Sequence, residues 1–246
     1  MSAIPLKQEI DYPTSDGQPM AETPLHREVM VDLIGALDRH YSGAPDVWVG
    51  GNLCFYYEEG NPSAMLATDV LLAKGVARWP RPHYLLWNET PPSLIVEVTS
   101  RSTRREDEGK KKDVYERIGV EEYVLFDPYG EYLRPRLKGF RLERGRFQPI
   151  PLAADGSLLS RTTGLVFRPE EKRLRLVDTR TGEPLLWADE LETARERAEA
   201  RAAEETAARQ RAEARAAEEA AARQVLEERL RQSEEELARL RDPERA

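Results

Sequence analysis

The sequence predicts an α+β domain, a mixed β-sheet flanked by helices with an antiparallel extension, followed by a C-terminal helix of coiled-coil type. Three observations carry this. Composition changes abruptly near residue 188; strand, helix and strand patterns succeed one another between residues 93 and 127; and a fourteen-residue repeat occupies the tail. The domain is assigned to residues 24–187, an irregular arm to 1–23 and the helix to 188–246.

The composition break separates two unlike parts of one chain. Residues 1–188 hold all the Gly, Trp, Tyr, Phe, Lys and His, and Pro243 is the one proline beyond them. That length can enclose a single hydrophobic core. Acidic residues outnumber basic ones in both parts, 28 to 25 and then 17 to 12, and the net charge is −8. No global basic field marks the chain for nucleic acid, so any such contact has to be local. The single cysteine, Cys54, has no partner for an intrachain disulfide, and the start MSAIPLKQEI carries neither the apolar core nor the basic leader of a signal peptide. With no apolar run long enough to span a bilayer, a cytoplasmic protein is the expectation.

Along the chain, TPLHREVMVDLIGALDRHY reads as a helix, with Thr23 as cap, Pro24 in the first turn and an apolar stripe of Leu25, Val29, Leu33, Ala36 and Leu37. The runs DVWVGG, NLCFYY, LATDVLLA and PSLIVEVTS read as strands. Residues 74–92, polar and proline-bearing, read as an irregular flap over a site, with Trp79 and Trp87 packed into the body. TRREDEGKKKDVYERIG is a helix stopped by Gly119 and followed by the strand EEYVLFD, a crossover that normally joins parallel strands. From Asp127 onward, GEYLRPRL, KGFRLERGRFQPI, TTGLVF and KRLRLVD read as hairpins extending the sheet.

In the tail, RAEARAAEETAARQ at 197–210 returns at 211–224 with Thr206 exchanged for Ala220. A fourteen-residue period is two heptads and keeps one seam facing a partner, so a coiled coil that dimerises the chain through residues 190–241 is expected. A solvated single helix held by Glu and Arg pairs is the competing reading, because alanine buries little.

Two acids stand where a carboxylate is costly. Glu97 lies inside the apolar strand SLIVEVTS, and Asp69 lies in LATDVLLA with Ala67 and Leu71 on its face. Side by side they would repel unless a cation stood between them, and magnesium takes carboxylates in this way. Of the three lysines at 110–112, Lys111 alone aligns with Val114, Tyr115 and Ile118, so its ammonium points toward the sheet. Taken singly, each residue has a structural explanation, a satisfied strand acid or a solvated lysine; their order along the chain makes the set specific. Glu28 and Asp107 could add a carboxylate but read as structural. Arg101, Arg104 and Arg105 could grip phosphate or simply line an exposed helix start. His26, His40 and His83 lack ligand spacing and are assigned to surface or capping roles.

Asp69, EVTS at 97–100 and STRREDEGKKKDVYERIGVEEYVLFDP at 102–128 resemble the Uma-two family of restriction-endonuclease-like proteins, within the PD-(D/E)xK nuclease superfamily. The resemblance spans roughly residues 20–187. It implies a restriction-endonuclease-like core that hydrolyses phosphodiester bonds, in DNA, with Mg or Mn held by Asp69 and Glu97. Thr68 stands where the family's proline precedes the first acid, and Thr99 stands at the position of the usual lysine, which makes Lys111 the matching lysine and Thr99 a backbone-carbonyl ligand. A different class of function, an inactive nuclease-like scaffold that recruits a partner through its coiled coil, is compatible with the same residues.

Overall fold

The computed structural model describes residues 11–15, 17 and 23–241. In chain order the elements are α1 Pro24–His40, β1 Val47–Gly50, β2 Leu53–Tyr56, β3 Met65–Thr68, β4 Val70–Lys74, β5 His83–Leu85 and β6 Leu94–Val98. Then come α2 Arg104–Glu106, a π-helical turn Asp107–Lys111, α3 Lys112–Ile118, β7 Glu122–Phe126, β8 Leu137–Glu143 and β9 Arg146–Pro149. The last are β10 Leu158–Leu159, β11 Leu165–Glu170, β12 Arg173–Asp178 and α4 Ala188–Arg241. The chain forms two compact units, Met1–Ala188 and Asp189–Ala246.

The first unit is built on a six-stranded sheet in the order β1-β4-β6-β7-β8-β9. Only β6 and β7 run parallel, joined by the helical crossover; the other neighbours are antiparallel. Alternation along the strands sorts side chains to two faces. Val70, Leu72, Leu94, Val96, Val98, Val124 and Phe126 meet α1 and the strands β10 to β12. Leu71, Ala73, Ile95, Tyr123 and Leu125 meet Val114 and Tyr115 of α3 and the aromatic residues Phe55 and Tyr84. Burial on both faces is why the central strands read as unbroken apolar runs. α1 begins as expected, with the Thr23 hydroxyl accepting from the His26 amide at 3.1 Å.

Four expectations need correction. LATDVLLA is not one strand: it breaks at Asp69 into β3, which pairs with β2 in a second sheet, and β4 of the main sheet. The flap is not irregular throughout, because β5 pairs in parallel with β2 and its Tyr84 is fully buried. Trp79 stays half exposed at 51% and does not pack into the body. The antiparallel extension of the sheet consists of β8 and β9 alone, since β10, β11 and β12 form a separate three-stranded sheet and GEYLRPRL is loop up to Leu137. The arm of residues 1–23 lies largely outside the described residues; of its described part, the Pro13 carbonyl accepts from Tyr56 at 2.6 Å.

The second unit is α4, a single 54-residue helix. At 1.5 Å per residue it extends for roughly 80 Å. No helix among the described residues is long and apolar enough to cross a membrane.

Candidate functional site

Asp69 occupies the single-residue junction where the chain leaves one sheet for another. The Asn52 amide holds its carbonyl at 3.1 Å. Gly51 makes that approach possible, because a Cβ there would stand 2.0 Å from the Asp69 carbonyl oxygen. The Asp69 carboxylate is fixed from two sides. Its Oδ2 accepts from the Val98 amide at 2.8 Å and contacts His26 Nε2 at 3.2 Å. Since Val98 follows Glu97 on β6, that amide bond ties the first acid to the strand of the second.

Glu97 is 1% exposed and its oxygens are both engaged. Lys111 Nζ donates to Oε2 at 2.8 Å, and the Tyr115 hydroxyl donates to Oε1 at 2.9 Å. The Tyr115 hydroxyl also meets Thr68 Oγ1 at 3.1 Å. Of the three consecutive lysines, Lys110 has its side chain 60% exposed, Lys112 lies over the Phe140 ring and Lys111 is buried. Asp107 begins the π-helical turn that Lys111 ends, and its Oδ1 lies 3.4 Å from Nζ. The turn is pinned to the sheet by Tyr123, whose hydroxyl donates to the Asp107 carbonyl at 3.0 Å. π-helical turns recur at functional sites, where they interrupt the ordinary helical ladder.

The electrostatics are those of crowded carboxylates around one ammonium. Burial raises the Glu97 carboxyl well above its ordinary range, and the charges of Asp69 and Asp107 add to this against the pull of Lys111. Asp107 is raised mainly by burial, with Lys111 opposing. Burial works against ionised Asp69 too, but the hydrogen bond and charge of His26, with Lys111 and the Val98 amide, outweigh it and hold the carboxyl low. Burial disfavours the Lys111 ammonium; Glu97, Tyr115, Asp107 and Asp69 reverse that and keep it protonated. Lys111 and His26 are thus the groups that favour ionised carboxylates here, against burial that disfavours them.

Thr99 lies one residue beyond β6, buried, with its amide on the Phe126 carbonyl at 2.7 Å and its Oγ1 without a hydrogen-bond partner among the described residues. Arg101, Arg104 and Arg105 are exposed and line an open cleft with Glu108, Gly109 and Tyr132. Glu28 has its side chain 54% exposed and 3.6 Å from Arg173. His40 and His83 stand apart from the cluster, His83 against Tyr56 and Tyr12. His26 does not take the surface or capping role assigned to it: it is buried and bonded to Asp69. Asp107 likewise belongs to the cluster. His26 falls three and four residues before Val29 and Met30 on the inner stripe of α1, and that spacing is the sequence signal of its burial.

Among the described residues no group of three or more His, Cys, Asp or Glu side chains is gathered to hold a metal ion. Two carboxylates are nevertheless what magnesium commonly takes from a protein, with water and substrate phosphate completing its shell. The Asp69 and Glu97 carboxylates are hard oxygen donors of the type such an ion takes, and in this arrangement Glu97 Oε2 carries the Lys111 ammonium.

A family model described as Uma2, putative restriction endonuclease, matches residues 2–184. No curated protein matches the chain. Among solved structures, the chain is similar to one described as a putative nuclease belonging to DUF820 from Anabaena variabilis, with a TM-score of 0.45 and 10% sequence identity over 61% of this chain and 80% of that one.

Proposed function

The chain belongs to the Uma2 family, and from that premise we propose that it is a divalent-metal-dependent endonuclease hydrolysing phosphodiester bonds, with DNA as substrate and Mg or Mn as the ion. The observation that carries this is the approach of Asp69 to the Glu97 strand through the Val98 amide, with Lys111 seated on Glu97. Asp69 and Glu97 would hold the ion, helped by the Thr99 carbonyl at the end of the same strand. When bound, such an ion supplies Lewis-acid activation of a phosphoryl oxygen and of water.

The protein's own groups do the remaining work. His26 and the Val98 amide hold the Asp69 carboxylate in one orientation, and Tyr115 does the same for Glu97. Lys111, kept protonated by its neighbours, stabilises negative charge on a phosphoryl oxygen or orients the attacking water. Arg101, Arg104 and Arg105 contact flanking phosphates, which position the strand without reading sequence. α4 pairs two copies so that two sites can address two strands of a duplex.

One observation favours a second reading. A Glu97 already neutralised by lysine needs no ion, which suits a nuclease-like scaffold acting through α4. Supercoiled plasmid and single-stranded DNA incubated with the protein and its Glu97→Gln variant, in Mg, Mn or chelator, separate the two. The enzyme reading expects metal-dependent nicking that falls by about a hundredfold or more in the variant. Absence of cleavage in every condition, with both proteins folded, selects the scaffold.

A further inference from the structure

We propose that Lys111 is the resident cation of Glu97, displaced when a divalent ion binds, and that Asp107 is the positioning residue that receives the displaced ammonium. This rests on the divalent-ion part of the function proposed above and adds to it an exchange built into the π-helical turn.

Glu97 has two oxygens and both are taken. Tyr115 donates to Oε1, and Oε2 faces Lys111 Nζ at 2.8 Å. A divalent ion cannot use Oε2 while an ammonium stands on it, both because the lone pair is occupied and because like charges repel at that range. The ammonium therefore has to leave Oε2, and it needs somewhere to go. In a buried setting an ammonium moved off its carboxylate with no new acceptor is strongly unfavourable.

Asp107 answers that need. Its side chain is 1% exposed, yet neither Oδ1 nor Oδ2 makes a full hydrogen bond among the described residues. Thr103, one turn earlier, and Lys111 both lie near enough to favour the ionised carboxylate, and neither meets it in full hydrogen-bond geometry. Buried polar atoms left open in this way are rare and call for a reason. Lys111 Nζ is 3.4 Å from Oδ1, beyond a good hydrogen bond but within a small rotation of the lysine's terminal torsions. Both residues bound the same π-helical turn, and the bond from Tyr123 to the Asp107 carbonyl holds that turn's backbone against the sheet. The acceptor is thus fixed while the ammonium, on four rotatable bonds, is free to change partners. Lys111 keeps its proton throughout and only its carboxylate changes, from Glu97 to Asp107.

The test is divalent-ion binding to the full chain without nucleic acid, by titration calorimetry with Mn, for the parent, Lys111→Met, Lys111→Gln, Asp107→Asn and Asp107→Glu. Removing the ammonium should tighten Mn binding by about tenfold, the size of one charge-assisted hydrogen bond no longer displaced. Asp107→Asn should weaken binding by a similar factor and Asp107→Glu should restore much of it, a rescue that loss of packing alone would not give. The Lys111 ammonium nitrogen resonance should move on Mg addition in the parent and fail to do so in Asp107→Asn. Unchanged Mn affinity in both Lys111 variants overturns the displacement, as does absence of Mn binding in every protein; unchanged affinity in Asp107→Asn overturns the role of Asp107. Mn binding that follows the expected order without cleavage of any DNA would sink the nuclease and leave the exchange standing.

Discussion

Tyr115 links both strands of the site to the helix above them. Its hydroxyl serves Glu97 Oε1 at 2.9 Å and Thr68 Oγ1 at 3.1 Å, with all three side chains buried. Tyr115→Phe should therefore cost roughly 1–3 kcal/mol, the range for leaving a buried partner unsatisfied. Thr68→Val removes one of the same bonds, so the double variant should be less destabilised than the sum of the singles in urea unfolding. Strict additivity would show that the hydroxyl is not shared. Glu97 and Lys111 are legible in the sequence because each breaks a rule, a carboxylate within an apolar run and a lysine on an apolar seam. Tyr115 and His26 are not, because an amphipathic ring on a buried stripe breaks nothing; Tyr115 reads as core until its hydroxyl's partner is known. Asp107 reads as a structural carboxylate for a related reason, since it sits in a charged run and the turn that carries it is held to the sheet by Tyr123.

At the level of elements, the loop from Pro128 to Arg136 is organised around the Asp127 side chain, with Arg136 closing it onto the Asp127 and Pro128 carbonyls. Asp127 is fully buried at the end of β7, and its carboxylate accepts four backbone amides: Tyr129 and Gly130 at 2.9 Å on Oδ1, Tyr132 at 2.6 Å and Leu133 at 2.9 Å on Oδ2. The loop carries Tyr132 to the arginine-lined cleft, so its shape bears on the proposed phosphate contacts. Asp127→Ala should cost about 2–4 kcal/mol, since several amides lose their acceptor together. In thermal unfolding that corresponds to a drop of roughly 5–15 °C for a domain of this size. A shift within a degree of the parent would mean that solvent replaces the carboxylate. The hairpin of β8 and β9 was readable from its turn residues Arg144 and Gly145, both at positive φ. The break of LATDVLLA was not, because both halves have strand composition and the break depends on a close approach by Gly51, some eighteen positions earlier. β5 is too short to read: three residues directly after Pro82 carry too little pattern, and pairing with β2 decides their conformation.

At the scale of the whole molecule, the main sheet and the β10 to β12 sheet are joined around Glu122. This buried carboxylate pairs with Arg141 at 2.8 Å, accepts from the Arg161 amide at 3.0 Å and bonds the Ser160 hydroxyl. α4, by contrast, has almost all of its described side chains exposed, including Leu226 at 65%, Leu230 at 62% and Leu237 at 56%. Ion pairs recur within the helix. Arg195 to Glu199, Arg209 to Glu213 and Arg223 to Glu227 repeat every fourteen residues at 2.7–2.8 Å. Such exposed pairs contribute about 0.3–0.5 kcal/mol each, and an arginine preceding its glutamate is the weaker orientation. The three leucines fall on one heptad seam. Extended toward the N-terminus, that seam meets Ala216, Ala212, Ala202 and Ala198, but also Arg223, Glu219, Arg209 and Glu205. Pairing of two copies is therefore expected to be carried by the leucine-bearing end, with the alanine-rich half adding little. Sedimentation velocity of the full chain should give a dimer that dissociates on dilution, and Leu226→Lys with Leu230→Lys should make it monomeric at every concentration. Helicity by circular dichroism provides the second readout: if the helix and the dimer persist in that double variant, the leucine seam is not the contact, and the Arg and Glu pairs support a helix whose association lies elsewhere.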